Sequence, residues 1–315
     1  MSDLISIIVP CFNEEKSLRL FHEAVKKTEE SMPDCRFELL LVNDGSKDKT
    51  LEVMRELAAE DSTVKYFSFS RNFGKEAAMY AGFCHVQGDY AAVMDADLQD
   101  PPDLLPEMYR LIKSGEYDSV AARRVSREGE PPIRSWFARR FYGLINRISD
   151  ADIVDGARDF RLMKREMVDA ILAMSETKRF SKGIFGWIGF RTYWMPYKNV
   201  ERVAGETKWS FWKLFRYAID GIVAFTTAPL RFATYCGFAF AFAAFLYIVY
   251  YFIRAIILRI YDQVPGYPSL LCFMLFIGGL ILMALGLLGE YIGRIFIEVK
   301  RRPQYIVSEE EKDRY

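Results

Sequence analysis

Residues 90–102 read YAAVMDADLQDPP. An apolar run of strand type stops on two aspartates, Asp95 and Asp97, and a proline-rich turn follows. Side chains alternate across a strand, so residues two apart leave it on one side. Two carboxylates there, with Gln99 close behind, are hard oxygen ligands suited to Mg²⁺ or Mn²⁺ carrying a diphosphate. A solvated acidic turn is spelled the same way, and the flanking segments decide between the two readings.

Upstream and downstream, apolar runs alternate with amphipathic stretches. Strands are predicted at Leu4–Val9, Phe37–Val42, Val64–Phe69, Tyr90–Asp95 and Asp118–Ala122, and helices at Glu14–Ser31, Lys47–Glu60, Gly74–Val86 and Asp103–Ser114. Regular alternation with nearly continuous apolar strands indicates an α/β fold, a mostly parallel sheet covered on both faces. Ligands of such sheets sit beyond the carboxyl ends of the strands. Pro10–Glu14, Asn43–Ser46, Arg71–Gly74 and Asp95–Gln99 lie at those ends. No G-x-G-x-x-G follows the first strand and no Walker A sequence is present, which argues against NAD and P-loop chemistry.

Lys+Arg and Asp+Glu both total 42, so no global charge points to nucleic acid. Residues 123–147 nevertheless carry seven arginines against Glu128 and Glu130. Beside a D-x-D, that block favours phosphate binding over a merely solvated face. The 5 cysteines are scattered without a CxxC pair, which fits a reducing compartment. His22 and His85 are the 2 histidines, read as ordinary helix residues, so no histidine-rich metal centre is available. MSDLISIIVP lacks a basic n-region, and the front of the protein is expected to stay in the cytosol.

After Trp209 the character changes. Trp212, Phe215, Ile219 and Ile222 recur at helical spacing, with Lys213, Arg216 and Asp220 repeating on another face, predicting an interfacial amphipathic helix over 209–228. Phe232–Ile253 and Val264–Gly289 are 22 and 26 residues without a charge, each long enough to cross a bilayer. The expected layout is a catalytic domain over 1–208, a two-helix transmembrane hairpin over 229–299 and a charged tail over 300–315. Lys208, Lys213, Arg216 and Arg231 before the hairpin and Lys300, Arg301 and Arg302 after it favour both ends in the cytoplasm. The tail after Pro303 is expected to be disordered. The sheet's core is expected to lie before residue 210, so a fragment ending before Thr227 should fold alone. Gly278, Gly279, Gly286, Gly289 and Gly293 read as tight helix packing.

IIVPCFNEE (7–15), LLLVNDGSKDKT (39–50), FSRNFGKEAAMYAGF (69–83), VMDADLQDPP (93–102), RVSREGE (124–130), DFRLM (159–163) and ERVAGETKW (201–209) occur in this order. Together with two spans they resemble family 2 glycosyltransferases of the polyprenyl-phosphate branch, especially bactoprenol glucosyltransferases and, more distantly, dolichyl-phosphate mannose synthases. The resemblance implies a GT-A, Rossmann-like fold and inverting transfer from a nucleotide sugar to a polyprenyl phosphate. It implies that Pro10, Phe12, Glu14, Val42 and Asp44 hold base and ribose. Asp95, Ala96, Asp97 and Gln99 match the diphosphate and metal positions. Arg202, Lys208 and Lys182 match basic residues around the diphosphate, and Arg124, Arg127 and Arg134 match the acceptor-phosphate region. The chain departs from the family pattern at Asn43, where an aspartate is common, at Thr207, where a serine is common, and at Arg158, where a small residue is common. The Arg158 departure bears on the donor sugar.

The acceptor chemistry suits these residue types. A phosphate monoester is largely dianionic at neutral pH and already a nucleophile. Holding two anionic reactants together and stabilising the departing diphosphate become the tasks. Asp159 is then read as orienting substrate rather than as a required base, with a salt bridge to Arg161 or Arg158 as the competing reading. Glu14 and Glu15 are alternatively first-turn acids favourable to a helix dipole. Glucose from UDP-glucose leads among donors, with UDP-N-acetylglucosamine, a modified UDP-arabinose and GDP-mannose as alternatives. A processive polysaccharide synthase is disfavoured by the missing Q-x-x-R-W and the few spans. A non-catalytic membrane adaptor is disfavoured by the intact D-x-D and basic cluster. Undecaprenyl phosphate is the expected acceptor, and a separate flippase is expected unless several copies assemble.

Overall fold

The computed structural model describes residues 2–124, 154, 156–197, 226–253 and 267–311. It divides into two compact units, Met1–Gly221 with Arg302–Tyr315, and Ile222–Arg301.

In the first unit β1 (Asp3–Cys11), β2 (Cys35–Asn43), β3 (Val64–Phe69) and β4 (Tyr90–Val93) run parallel, connected by α1 (Leu18–Glu30), α2 (Thr50–Glu60) and α3 (Lys75–Cys84). A 3₁₀ turn (Pro102–Leu104) and α4 (Leu105–Lys113) lead to β5 (Ser119–Arg124). Then come β6 (Ala157–Lys164), α5 (Arg165–Ala173), α6 (Ser181–Trp187) and β7 (Thr192–Tyr197). With β8 (Val307–Glu310) the strand order is β7-β5-β6-β4-β1-β2-β3-β8. The central strands are parallel as expected, but the sheet is mixed. β6 is antiparallel to both β4 and β5, and β8 is antiparallel to β3.

The apolar strands are buried because helices cover both faces. Leu18, Phe21 and Val25 of α1, Met54 and Leu57 of α2, and Leu105, Met108 and Ile112 of α4 join one core with Ile5, Ile7, Val9, Leu39 and Leu41. Against the other face α3 comes very close to β1. A Cβ on Gly82 would lie 2.2 Å from the Ile8 side chain, so only glycine permits that approach. The last ladder bond of β4 is the Met94 N–H to the Ile8 carbonyl at 3.0 Å. Beyond it no strand partner remains, so Asp95 and Asp97 stand in the turn after β4 rather than on the strand's end. Leu98 there adopts φ 57°.

The tail is not disordered where it is described. Val307, Glu309 and Glu310 pair with Phe69, Ser68 and Phe67 along the edge of β3. The Arg55 guanidinium donates to both oxygens of Glu309 at 2.8 and 2.6 Å, and the Tyr66 hydroxyl donates to Glu309 Oε1 at 3.0 Å. Tyr305 stacks on Phe69 with ring centroids 4.9 Å apart. Charge in the tail signalled solvation, but an edge strand needs one covered face only, and its acids found partners. Removing residues 302–315 should therefore lower the melting temperature and promote aggregation through the opened β3 edge. Thermal unfolding and light scattering of the truncated protein in detergent check this. An unchanged melting temperature would return the tail to a dispensable role. For the same reason a fragment ending before Thr227 lacks the last strand of its own sheet.

The second unit contains α7 (Ala228–Phe252) and α8 (Tyr267–Val299). Both are long and apolar enough to cross a membrane, over Ala228–Tyr247 and Phe276–Val299, and Phe232, Phe238, Leu282 and Met283 are exposed. α8 continues ten residues past the expected end at Gly289, because Glu290 and Arg294 pair one turn apart at 3.5 Å and do not interrupt it. A Cβ at Gly278, Gly279, Gly286, Gly289 or Gly293 would meet nothing within 4 Å. Among the described residues, then, nothing packs closely against these glycines. Across the pair, Phe240 and Phe276 meet edge-on at 5.8 Å, a contact of large rings rather than of small residues. Residues 209–225 of the expected interfacial helix lie outside the described residues.

Candidate active site

The loops after β1 and β2 are laced into one wall. Asn13, at φ 59°, donates its N–H to Ser46 Oγ at 3.0 Å, and Lys47 N–H donates to Asn13 Oδ1 at 2.9 Å. Glu14 N–H donates to Thr50 Oγ1 at 2.8 Å, while its carboxylate accepts from Ser17 Oγ at 2.6 Å. Glu15 accepts from Lys49 N–H at 3.0 Å. Neither acid is in the first turn of α1, which begins at Leu18, so the dipole reading fails for both. Pro10 and Phe12 are half-buried at the head of this wall, whereas Val42, opposite Pro10 in register, has no exposed surface.

Asp44, from the N-D-G-S segment, is buried and turns inward. Its carboxylate accepts from Phe73 N–H at 2.6 Å and Gly74 N–H at 2.9 Å. Burial pushes its carboxyl above the ordinary range despite those two donors. Gly45 (φ 64°) passes beneath the same loop, where a Cβ would lie 2.4 Å from the Arg71 backbone. The acid expected to meet the base therefore also anchors the chain entering α3.

That anchoring places Lys75, the first residue of α3. Its Nζ lies 2.6 Å from Asp95 Oδ1, 2.9 Å from Asp95 Oδ2 and 2.7 Å from Asp159 Oδ2. Asp159 pairs with neither Arg161 nor Arg158. Burial by itself would raise the Asp159 carboxyl, yet the Lys75, Lys182 and Arg158 charges hold it well below the usual carboxylate range. Lys182 Nζ also donates to the Ala157 carbonyl at 3.1 Å.

Arg158 and Asp159 are neighbours on β6 and so point to opposite faces. Arg158 Nε donates to Asp100 Oδ1 at 3.0 Å, and Arg158 Nη2 donates to Gln99 Oε1 at 3.2 Å. Tyr197 hydroxyl donates to Asp100 Oδ1 at 2.5 Å. One strand thus grips both ends of the acidic turn, Gln99 and Asp100 directly and Asp95 through Lys75. Among the described residues Arg161 is the largest fully buried side chain; it lies 3.7 Å over the Phe185 ring, and its Nε makes no hydrogen bond there. Burial brings its guanidinium down to about 9. Arg124 closes β5, its N–H donating to the Gly156 carbonyl at 3.0 Å.

Glu76, beside Lys75, accepts from the Ser181 N–H at 3.0 Å and from its hydroxyl. Burial pushes the Glu76 carboxyl up to about 7, and the Asp159 charge adds to the rise. The ordinary value is 4.5. Below that pH the group is neutral folded and unfolded alike. As pH climbs from 4.5 through 7 the unfolded chain releases a proton that the folded chain retains, so stability falls. Glu76→Gln should flatten this fall, and melting temperatures of both proteins at pH 5 and pH 8 test it. Parallel losses in the two proteins would contradict it.

Asp95 and Asp97 fit a divalent cation as two hard oxygen donors within one turn, and Asp95 already holds a cation, the Lys75 ammonium. Asp97 is 8% exposed, with Oδ1 accepting from Gln99 N–H at 3.1 Å. Gln99 offers less than expected, since Arg158 occupies its amide oxygen. Ala96 is buried between the two acids. Among the described residues no group of three His, Cys, Asp or Glu is arranged to hold a metal. Arg127, Arg134, Arg202 and Lys208 lie outside the described residues. Lys75, Asp100 and Tyr197 were not anticipated. For Lys75 the available signal was its place directly after the Phe73-Gly74 turn.

Residues 6–172 match glycosyl transferase family 2. The chain belongs to that family. Residues 228–295 of this family 2 glycosyltransferase match the GtrB C-terminal hairpin, and the mixed sheet is its GT-A fold. The enzyme is 47% identical over 306 residues to CsbB of Bacillus subtilis, covering 97% of this chain and 92% of that protein. It is 42% identical over 308 residues to the prophage bactoprenol glucosyl transferase homolog of Escherichia coli, covering 98% and 99%. It is 43% identical over 304 residues to the bactoprenol glucosyl transferase of Shigella phage SfII, covering 96% and 97%. The hairpin makes this glycosyltransferase a membrane-associated one.

Proposed function

We propose that the enzyme transfers glucose from UDP-glucose to undecaprenyl phosphate, with inversion, on the cytoplasmic leaflet of the plasma membrane. The observation that carries this is the pairing, in one chain, of a family 2 domain with the hairpin, at 42% and 43% identity over nearly the full length of the two bactoprenol glucosyl transferases. An oxygen of the acceptor phosphate forms the bond to the anomeric carbon as the bond to the β-phosphate oxygen breaks and UDP departs. The acceptor dianion needs no deprotonation. Asp159, kept ionised by Lys75, Lys182 and Arg158, is suited to orienting hydroxyls and unsuited to taking a proton near neutral pH.

A Mg²⁺ or Mn²⁺ ion held by Asp95 and Asp97 would neutralise charge on the diphosphate when bound. Arg158 keeps Gln99 and Asp100 in place around that turn. Pro10, Phe12, Glu14 and Asp44 belong to the nucleotide side. Arg202, Lys208 and Lys182 serve the diphosphate, and Arg124, Arg127 and Arg134 grip the acceptor phosphate through planar contacts. Both chain ends face the cytoplasm, where nucleotide sugars are. The product then needs a separate flippase, because two spans line no path for its headgroup unless copies associate.

Purified protein incubated with undecaprenyl phosphate and, in turn, UDP-glucose, UDP-N-acetylglucosamine, a modified UDP-arabinose and GDP-mannose tests the reading. Lipid-linked glucose from UDP-glucose alone supports it. Preference for another donor would replace the sugar, and no lipid product with any donor would remove the reaction.

A further inference from the structure

We infer that Lys75 is a positioning residue of this site: its ammonium joins Asp95 to Asp159 and competes with the divalent cation for Asp95. The inference rests on the transferase reading above.

Three elements converge on one nitrogen. α3 presents Lys75 at its first position, and Asp44 of the β2 loop fixes the two residues before it. The turn after β4 brings Asp95, and β6 brings Asp159. The lysine side chain is 40% exposed, so this is not a sealed structural ion pair. Pairs that open to solvent add little stability, and fold stability is a weak reason for such a convergence. The contacts point instead to occupancy of the site. Both oxygens of Asp95 are within 2.9 Å of the ammonium, which leaves neither free of a cation. A cation approaching Asp95 must share or displace that ammonium. Lys75 has a second partner in Asp159, at 2.7 Å, to hold it near the turn once displaced, where it is available to an anionic group at Asp95. Asp95 belongs to the donor side and Asp159 lies next to Lys182 and Arg158, so one side chain couples the two halves of the site.

The test is Mn²⁺ binding by the full-length protein in nanodiscs, followed through the electron paramagnetic resonance signal of free Mn²⁺, without nucleotide and with UDP. Lys75→Gln should bind Mn²⁺ alone roughly two- to fivefold more tightly than wild type, the scale of one partly exposed ion pair. That gain should shrink when UDP is present, because the diphosphate then contributes ligands of its own. Lys75→Arg, which keeps the charge, should return the affinity toward wild type. Lys75→Met keeps the stem and replaces the glutamine variant if that one does not fold. Sugar transfer by Lys75→Gln should fall despite the tighter binding, a divergence that simple misfolding does not produce. Unchanged or weaker Mn²⁺ affinity in the neutral variants overturns the inference. Wild-type transfer, measured in the same preparation, reports separately on the transferase reading.

Discussion

Asp97→Asn should lower glycosyl transfer by about 10²–10³-fold, the cost of removing one preorganised electrostatic contact to a developing charge. The substitution is mild for the fold. Asparagine keeps the Oδ1 that accepts from Gln99 N–H, and Lys75, Asp95 and Asp159 keep their contacts. What disappears is one of the two carboxylates suited to a divalent cation at the diphosphate. Radiolabelled lipid product, measured beside the melting temperature, separates loss of chemistry from loss of structure. EDTA should imitate the variant in wild type, with recovery on adding Mg²⁺ or Mn²⁺. Full activity of Asp97→Asn would exclude the acidic turn from the site.

Asp159→Asn should also lower transfer, by about 10²-fold, the scale of misplacing a reactant. Its pH profile is the sharper test. Lysine and arginine charges hold the Asp159 carboxyl well below its ordinary range, so it stays ionised across any pH at which the enzyme works. An acid limb in the rate therefore reports another group, the acceptor phosphate with a second pKa of about 6 or Glu76 at about 7, and Glu76→Gln separates the two. The limb should persist in Asp159→Asn at the same pH while the plateau drops. A limb that vanishes with the substitution would make Asp159 the base. Rates with saturating acceptor between pH 5 and pH 8 decide between these outcomes.

The contrast between Asp97 and Lys75 shows how much of this site is legible in the residues alone. A D-x-D after an apolar run announces itself, because strand period and carboxylate chemistry are both local properties. A lysine opening a helix resembles any solvated first-turn residue. Its role exists only because the turn after β4 and strand β6, 84 residues away, arrive at its tip. β6 itself was not anticipated, since Arg158, Asp159 and Arg161 break the apolar signal of a strand that lies inside the sheet, between β5 and β4. Those charges are tolerated there by partners that sequence spacing does not reveal: Asp100 with Gln99, Lys75, and the Phe185 ring. β7 was hidden by Pro196 and β8 by its acids.

Local patterning was enough to determine the parallel βα core, the acidic turn, the two long apolar helices and the family-specific order of motifs. Each depends on periodicity or on residues close in the chain. Only the tertiary structure decided that the sheet is mixed, that the tail returns as an edge strand, and that Arg158 of β6 and Lys75 of α3, paired with Asp159 of β6, both hold the acidic turn. These features depend on contacts between distant segments, where backbone hydrogen bonds and compensating charges find partners that no local pattern specifies.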